Sequence, residues 1–173
     1  MVWFSDVRGF TALSAAQAPE VVVARLNEVF EHVGRAVSRE GGEILKFIGD
    51  GVLAIFPYGS DDGAADACRR ALRAAQEALQ NLPTDLQVGI GLHRGEVSYG
   101  NIGASDRLDF TVIGATVNLA SRIEGLTGGL GQVLLASEAV AASDPAAWFE
   151  VGTFTLKGVP DATRVYAPRP LAP

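Results

Sequence analysis

The run Lys46-Phe47-Ile48-Gly49-Asp50-Gly51-Val52-Leu53-Ala54-Ile55-Phe56 reads as two strands around a turn. Ile44–Ile48 and Val52–Phe56 are rich in β-formers, and Gly49-Asp50-Gly51 between them supplies residues that tolerate the positive φ of a tight hairpin. The reading places a carboxylate, Asp50, at a hairpin tip, with Lys46 four residues earlier on the incoming strand. An acid at a turn is by itself ordinary turn chemistry. What gives it weight is a second acid in a similar setting near the start of the chain.

That second acid is Asp6. Val2-Trp3-Phe4-Ser5-Asp6-Val7 reads as a strand with the acid near its end, and Arg8-Gly9-Phe10-Thr11 turns sharply into a helix start. An acid at a strand end, followed by a glycine turn and a helix N-terminus, can hold a metal and offer backbone N–H groups to phosphate. Between the two acids, Val22, Leu26, Val29, Val33 and Val37 recur at steps of three and four. They mark one buried face of a helix from Pro19 to Glu40, stopped by Gly41-Gly42.

Beyond the hairpin, Gly59 to Gly63 forms a loop with an N-cap acid, and Ala64 to Leu79 forms a second long helix. Leu86 to His93 alternates as a strand whose glycines predict close packing over it. Strand and turn follow over Glu96–Gly103, then a polar excursion over 104–109 and a strand over Phe110–Ile113. Val117–Leu126 is a helix on which Asn118 and Arg122, four apart, share a face. Taken alone, such a pair is a solvated helix face. Gln132–Ala136, Trp148–Leu156 and Arg164–Ala167 complete the strands, with Ser137-Glu138 opening a short helix and Lys157-Gly158 in a turn.

This order predicts an α+β fold: a ferredoxin-like βαββαβ core, a mainly antiparallel sheet with helices packed on one face, and extra C-terminal strands. One domain over 1–168 and a short tail over 169–173 are expected. The chain has 173 residues, 48% of them hydrophobic and 20% charged, which is an ordinary globular balance. The net charge of −6 argues against a nucleic-acid partner, and no apolar run is long enough for a membrane segment. A lone cysteine, Cys68, excludes an internal disulfide and fits a reducing, cytoplasmic setting. His32 and His93 lack metal-ligand spacing and read as structural.

Three segments in order carry a resemblance: Phe4–Thr11, Lys46–Gly51 and Phe110–Arg122, the last reading Phe-Thr-Val-Ile-Gly-Ala-Thr-Val-Asn-Leu-Ala-Ser-Arg. Together they resemble the catalytic domain of class III nucleotidyl cyclases, over about Val2 to Tyr166. The resemblance implies an adenylate cyclase that forms cyclic AMP and pyrophosphate from ATP. Asp6 and Asp50 match the family's metal-binding aspartates, which hold two Mg²⁺ or Mn²⁺ ions. The backbone at Phe10 and Thr11 matches the turn that cups phosphates. Asn118 and Arg122 match the transition-state pair, and Lys157 matches a distal phosphate-binding lysine. Lys46 and Thr111 occupy the base-reading positions. A lysine donates to adenine N1 and a threonine hydroxyl can accept from N6, whereas a guanylyl cyclase is expected to carry Glu and Cys there.

The resemblance further implies a head-to-tail homodimer with shared sites, one chain giving Asp6 and Asp50 and the other Lys46, Thr111, Asn118 and Arg122. Threonine at 111 is also like the subgroup that includes bicarbonate-responsive members. Met1 stands five residues before Asp6, so the sequence reads as a catalytic domain cut from, or lacking, an upstream regulatory domain. Ala115 departs from the Asp or Asn common after Ile-Gly in the family. Gly41-Gly42-Glu43-Ile44 has an incomplete likeness to diguanylate cyclases, which leaves Asp50, Asn118 and Arg122 unaccounted for. The rival from another class is a catalytically silent cyclase-homology domain, acting as a dimerisation or nucleotide-sensing module.

Overall fold

The computed structural model describes residues 1–59, 61–104 and 107–170, with the side chains of 61–62, 103–104 and 107–109 left aside. Parts of the polar excursion over 104–109 and of the C-terminal tail therefore lie outside the described residues. The elements run β1 (Val2–Val7), α1 (Phe10–Ala16), α2 (Pro19–Arg39), β2 (Glu43–Ile48), β3 (Gly51–Ile55), α3 (Asp61–Asn81), β4 (Val88–His93), β5 (Ser98–Ala104), β6 (Arg107–Ile113), α4 (Ala115–Glu124), β7 (Leu134–Ser137), α5 (Glu138–Ala141), β8 (Trp148–Phe154) and β9 (Thr163–Pro168).

Seven strands form one sheet in the order β2-β3-β1-β4-β7-β9-β8. The first four, with α2 and α3 as crossovers, are the βαββαβ core predicted from the sequence. All pairings in the sheet are antiparallel except β4 with β7. β5 and β6 make a separate two-stranded ribbon. Among the described residues no helix is long and apolar enough to cross a membrane.

The period-2 alternation of β1 sorts its side chains between two faces. Trp3 and Val7 enter the main core, where Val29, Val33 and Val37 of α2 meet Val52, Ala54, Ile90 and Leu92. On α3 the inward face is small: Ala67, Ala71, Ala74, Ala75 and Ala78 are buried there, so the helix lies close to the layer beneath it. Arg70 of α3 ties this layer to the chain around the sheet, donating to the Glu40 and Pro57 carbonyls while pairing with Asp66.

The opposite face of β1 carries Val2, Phe4 and Asp6. Here Val2, Leu53 and Ile55 pack with Ala120 of α4 and Val112 of β6. Helices thus occupy both faces: α2 and α3 on the side expected of the core, and α4 on the other. The sequence alone left the second layer out because the pattern of α4 resembled a solvated helix. The glycines of β4 explain how α4 comes so near. A Cβ on Gly91 would collide with the Ala120 carbonyl and the Glu124 amide, so the helix backbone rests directly on the strand.

Candidate active site

Asp6 and Asp50 meet at one end of the sheet. β1 and β3 are neighbours in register, Ser5 opposite Val52, so Asp6 stands beside the β2–β3 hairpin tip. The turn has two residues, Gly49 and Asp50, where the sequence predicted three, because Gly51 already pairs with Ile48 as the first residue of β3. Only Gly49 has positive φ, at 63°, which is the signature of a II′-type turn; Asp50 needs none. Gly51 lets the strands close up: a Cβ there would stand 2.8 Å from the Ser5 carbonyl and 3.2 Å from Asp6 Oδ1. The Asp6 carboxyl is pushed up to about 6, first by burial, then by the charge of Asp50 and a hydrogen bond with it. Two acids forced together carry a repulsion that a cation relieves.

The donor chemistry fits a divalent ion. Two carboxylates are hard oxygen ligands of the kind Mg²⁺ and Mn²⁺ take. Among the described residues no cluster of three or more His, Cys, Asp or Glu could hold a metal. Two carboxylates fill only part of the coordination shell of such an ion.

Phe10 and Thr11 open α1 directly after Gly9, whose φ of 67° makes the sharp turn out of β1. The first amides of a helix have no acceptor within it. They lie four and five residues along the chain from Asp6, at the same end of β1.

Lys46 reaches its position through an irregularity. β2 pairs Ile44 with Ala54 but Lys46 with Leu53, so the register shifts between them. Strict alternation would set Ile44 and Lys46 on one face; the bulge turns Lys46 to the face of Leu53. That is the face shared by β1's Asp6, α4 and β6. Thr111 lies on β6 opposite Gly100. It is buried, and among the described residues its Oγ1 has no hydrogen-bond partner. An unpaired buried hydroxyl costs about 1–3 kcal/mol unless something outside the chain satisfies it.

Asn118, Arg122 and Lys157 meet elsewhere. Together with His93 they line a cleft of about 320 Å³ between α4 and the turn after β8. Gly158, with φ of 80°, shapes that turn beside Lys157. All three polar side chains are exposed. His93 shares a 2.7 Å hydrogen bond with Ser137, and its pKa falls to about 4, chiefly through burial and then through the chain terminus and Arg94. It is therefore neutral, in keeping with a structural role, although it also walls the cleft. The cleft contains neither aspartate, and neither Lys46 nor Thr111.

One polar residue stands out that sequence reasoning passed over. Glu124, at the end of α4, carries a carboxyl raised to about 7, first by burial and then by Asp6. The signal lay in β4: Gly89 is the strand neighbour of Asp6, and a Cβ there would strike the Glu124 carboxylate.

The sheet and the helices packed on it are those of a nucleotide-cyclase type of catalytic domain. Residues 1–167 match the adenylate and guanylate cyclase catalytic domain, and the chain belongs to that family. It is 41% identical over 148 residues to an adenylate cyclase of Anabaena cylindrica, covering 80% of this chain and 29% of that protein. It is 37% identical over 176 residues to adenylate cyclase 1 of Rhizobium meliloti, covering 94% and 26%. The chain thus spans less than a third of the length of these curated relatives. Among solved structures, the adenylyl cyclase CyaB from P. aeruginosa superposes with a TM-score of 0.85 at 28% identity, covering 99% of this chain and 93% of that one. The guanylyl cyclase Cya2 superposes at 0.75 with 33% identity, covering 96% and 89%. Overall likeness therefore does not choose the base.

Proposed function

We propose that this domain is an adenylate cyclase, converting ATP to 3′,5′-cyclic AMP and pyrophosphate at sites shared between two copies of the chain. The observation that carries the reading is the split of the site. The acidic pair and the Asn118–Arg122–Lys157 cleft belong to different places on one chain. A head-to-tail pair of chains would set the acids of one against the cleft of the other. Exposed apolar side chains support such pairing: Phe47 and Ile48 at the hairpin, Tyr99, Phe110 and Ile113 on the β5–β6 ribbon.

In the reaction the ribose 3′-oxygen attacks the α-phosphorus, the bond from that phosphorus to the bridging oxygen breaks, and pyrophosphate leaves. Asp6 and Asp50 would hold two Mg²⁺ or Mn²⁺ ions, which when bound activate the hydroxyl and offset phosphate charge. The remaining work falls to the chain's own groups. Asn118 hydrogen-bonds and orients the ribose. Arg122, four residues on and lining the same cleft, neutralises charge that grows at the α-phosphate. Lys157 and the first amides of α1, at Phe10 and Thr11, hold the outer phosphates.

Base choice rests on Lys46 and Thr111. A lysine donates to adenine N1, and a threonine hydroxyl can accept from the adenine amino group. Guanine reverses both demands. The unpaired Thr111 Oγ1 is the feature of this chain that favours an external partner. A cytoplasmic setting suits ATP as substrate.

The test is direct. Purified protein is given ATP or GTP with Mg²⁺ or Mn²⁺, and cyclic nucleotide and pyrophosphate are measured, with Asp50→Ala as control. Cyclic AMP from ATP, lost in the variant, is the expected result. No product from either nucleotide at high protein concentration would instead favour a silent dimerisation or nucleotide-sensing module.

A further inference from the structure

Helix α4 bears polar groups in two directions. Asn118 and Arg122 line the cleft. Glu124 follows Arg122 by two residues, which is about 200° around a helix, so it points away from that cleft and down onto β4. The strand is bare there. A Cβ on Gly89 would collide with Glu124 Oε1 and Thr127 Oγ1, and one on Gly91 with the Glu124 backbone. Gly89 is the register partner of Asp6. Directly opposed residues of an antiparallel pair face the same way, with Cβ atoms about 4.5–5.5 Å apart. The Glu124 carboxylate therefore fills the space that a side chain opposite Asp6 would occupy.

The charged groups facing it are Asp6, Arg8 and Asp50. Arg8 is already engaged with the Gln132 carbonyl. The side-chain hydrogen bond of Glu124 is a long one, 3.5 Å from Thr127 Oγ1. Burying an acid beside two others is costly, and packing alone would be served as well by an amide.

We propose that Glu124 is a positioning residue of the metal site, an outer carboxylate whose negative charge behind Asp6 and Asp50 tightens their hold on divalent cations. It is not a ligand; it acts through the field at the two aspartates. The inference rests on the reading of Asp6 and Asp50 as the metal-holding pair.

The experiment titrates Mn²⁺ alone into the nucleotide-free chain and follows free Mn²⁺ by electron paramagnetic resonance. Glu124→Gln keeps the shape and the Thr127 contact while removing the charge. It is expected to weaken Mn²⁺ binding about tenfold, the usual range for a group behind the ligands. Glu124→Asp keeps the charge and is expected to stay within about threefold of the unsubstituted chain. Asp50→Asn should abolish saturable binding. If Glu124→Gln binds as the unsubstituted chain does while Asp50→Asn does not bind, Glu124 only packs and the inference falls alone. Equal losses in the Gln and Asp variants would also overturn it, since shape and not charge would then matter. Should the Gln variant fail to fold, Glu124→Ala with Glu124→Asp decides: a tenfold loss in Ala that Asp restores supports the proposal, and equal binding by both overturns it. Binding that survives Asp50→Asn, or no saturable binding by the unsubstituted chain, removes the metal reading itself and the inference with it.

Discussion

The two polar ends of this chain are built on opposite principles. Asp6 and Asp50 are fixed by strand register, a two-residue turn and a glycine that admits close approach, and their repulsion is paid in the fold. Asn118, Arg122 and Lys157 stand exposed on a helix face and a turn, where solvation makes them nearly free of cost. The acidic end is crowded and unfavourable as it stands, the arrangement a cation would relieve. The basic end is open to solvent and carries the charge an anion would complement. Each lacks what the other has, and the cyclase reading requires that they come from different chains.

The strongest way to break that contrast is to disable one end at a time. Asp6→Ala and Asn118→Ala should each lower cyclase activity by at least about a hundredfold, the order expected when a charge-stabilising group is lost. The two variants mixed should recover activity. With random pairing about half the dimers are mixed, each with one intact site of two, so recovery should approach about a quarter of the unsubstituted rate. Variants that dimerise and bind nucleotide but do not complement would show that each chain carries a whole site.

A smaller effect sharpens the comparison at the base. Thr111 is buried with a hydroxyl unpaired among the described residues, so Thr111→Val removes no hydrogen bond described there. Its melting temperature should hold or rise. Its preference for ATP over GTP, measured as the ratio of kcat/KM values, should fall about tenfold, the net worth of one hydrogen bond. Loss of stability with unchanged preference would make Thr111 a core residue and nothing more. Lys46→Glu should lower kcat/KM for ATP further, because it places an acceptor opposite adenine N1.

The sequence carried the acidic end more fully than the basic one. The hairpin at Gly49-Asp50-Gly51 is written in turn chemistry, and the long helices in periodicity, so β1, α2, β2, β3 and α3 stand near their expected places. The face of Lys46 was not legible, since alternation puts it with Ile44 and only the bulge separates them. α1 was seen only as a helix start because Phe10–Ala16 is two turns long and buries no residue fully. Glu124 was illegible for another reason. Its setting depends on Gly89, thirty-five positions away in sequence, and on a parallel β4–β7 pairing that brings α4 across the strand. Glycines in β4 announced that something lay close, but not what.

The smallest effect tests whether the repulsion at the acidic end is real. The Asp6 carboxyl sits near 6 against an ordinary 3.8, and Glu124 near 7 against 4.5, both raised first by burial. Between pH 4 and 7 the folded chain therefore holds protons that the unfolded chain has already lost, and these groups make stability fall as pH rises through that window. His93 works the other way, being neutral when folded down to about pH 4 and charged when unfolded below 6.5. The readout is thus a difference: the melting temperature of Asp6→Asn minus that of the unsubstituted chain, both free of metal. It should be near zero at pH 4 and positive by pH 7.5. Asp6 is partly solvated, which keeps the gain small, at about 2–4 °C. Mn²⁺ at pH 7.5 should raise the melting temperature of the unsubstituted chain and leave Asp6→Asn unmoved. A difference that does not change with pH would mean that Asp6 is better solvated and less crowded by Asp50 than this placement gives, and the acidic end would then be no more strained than the basic one.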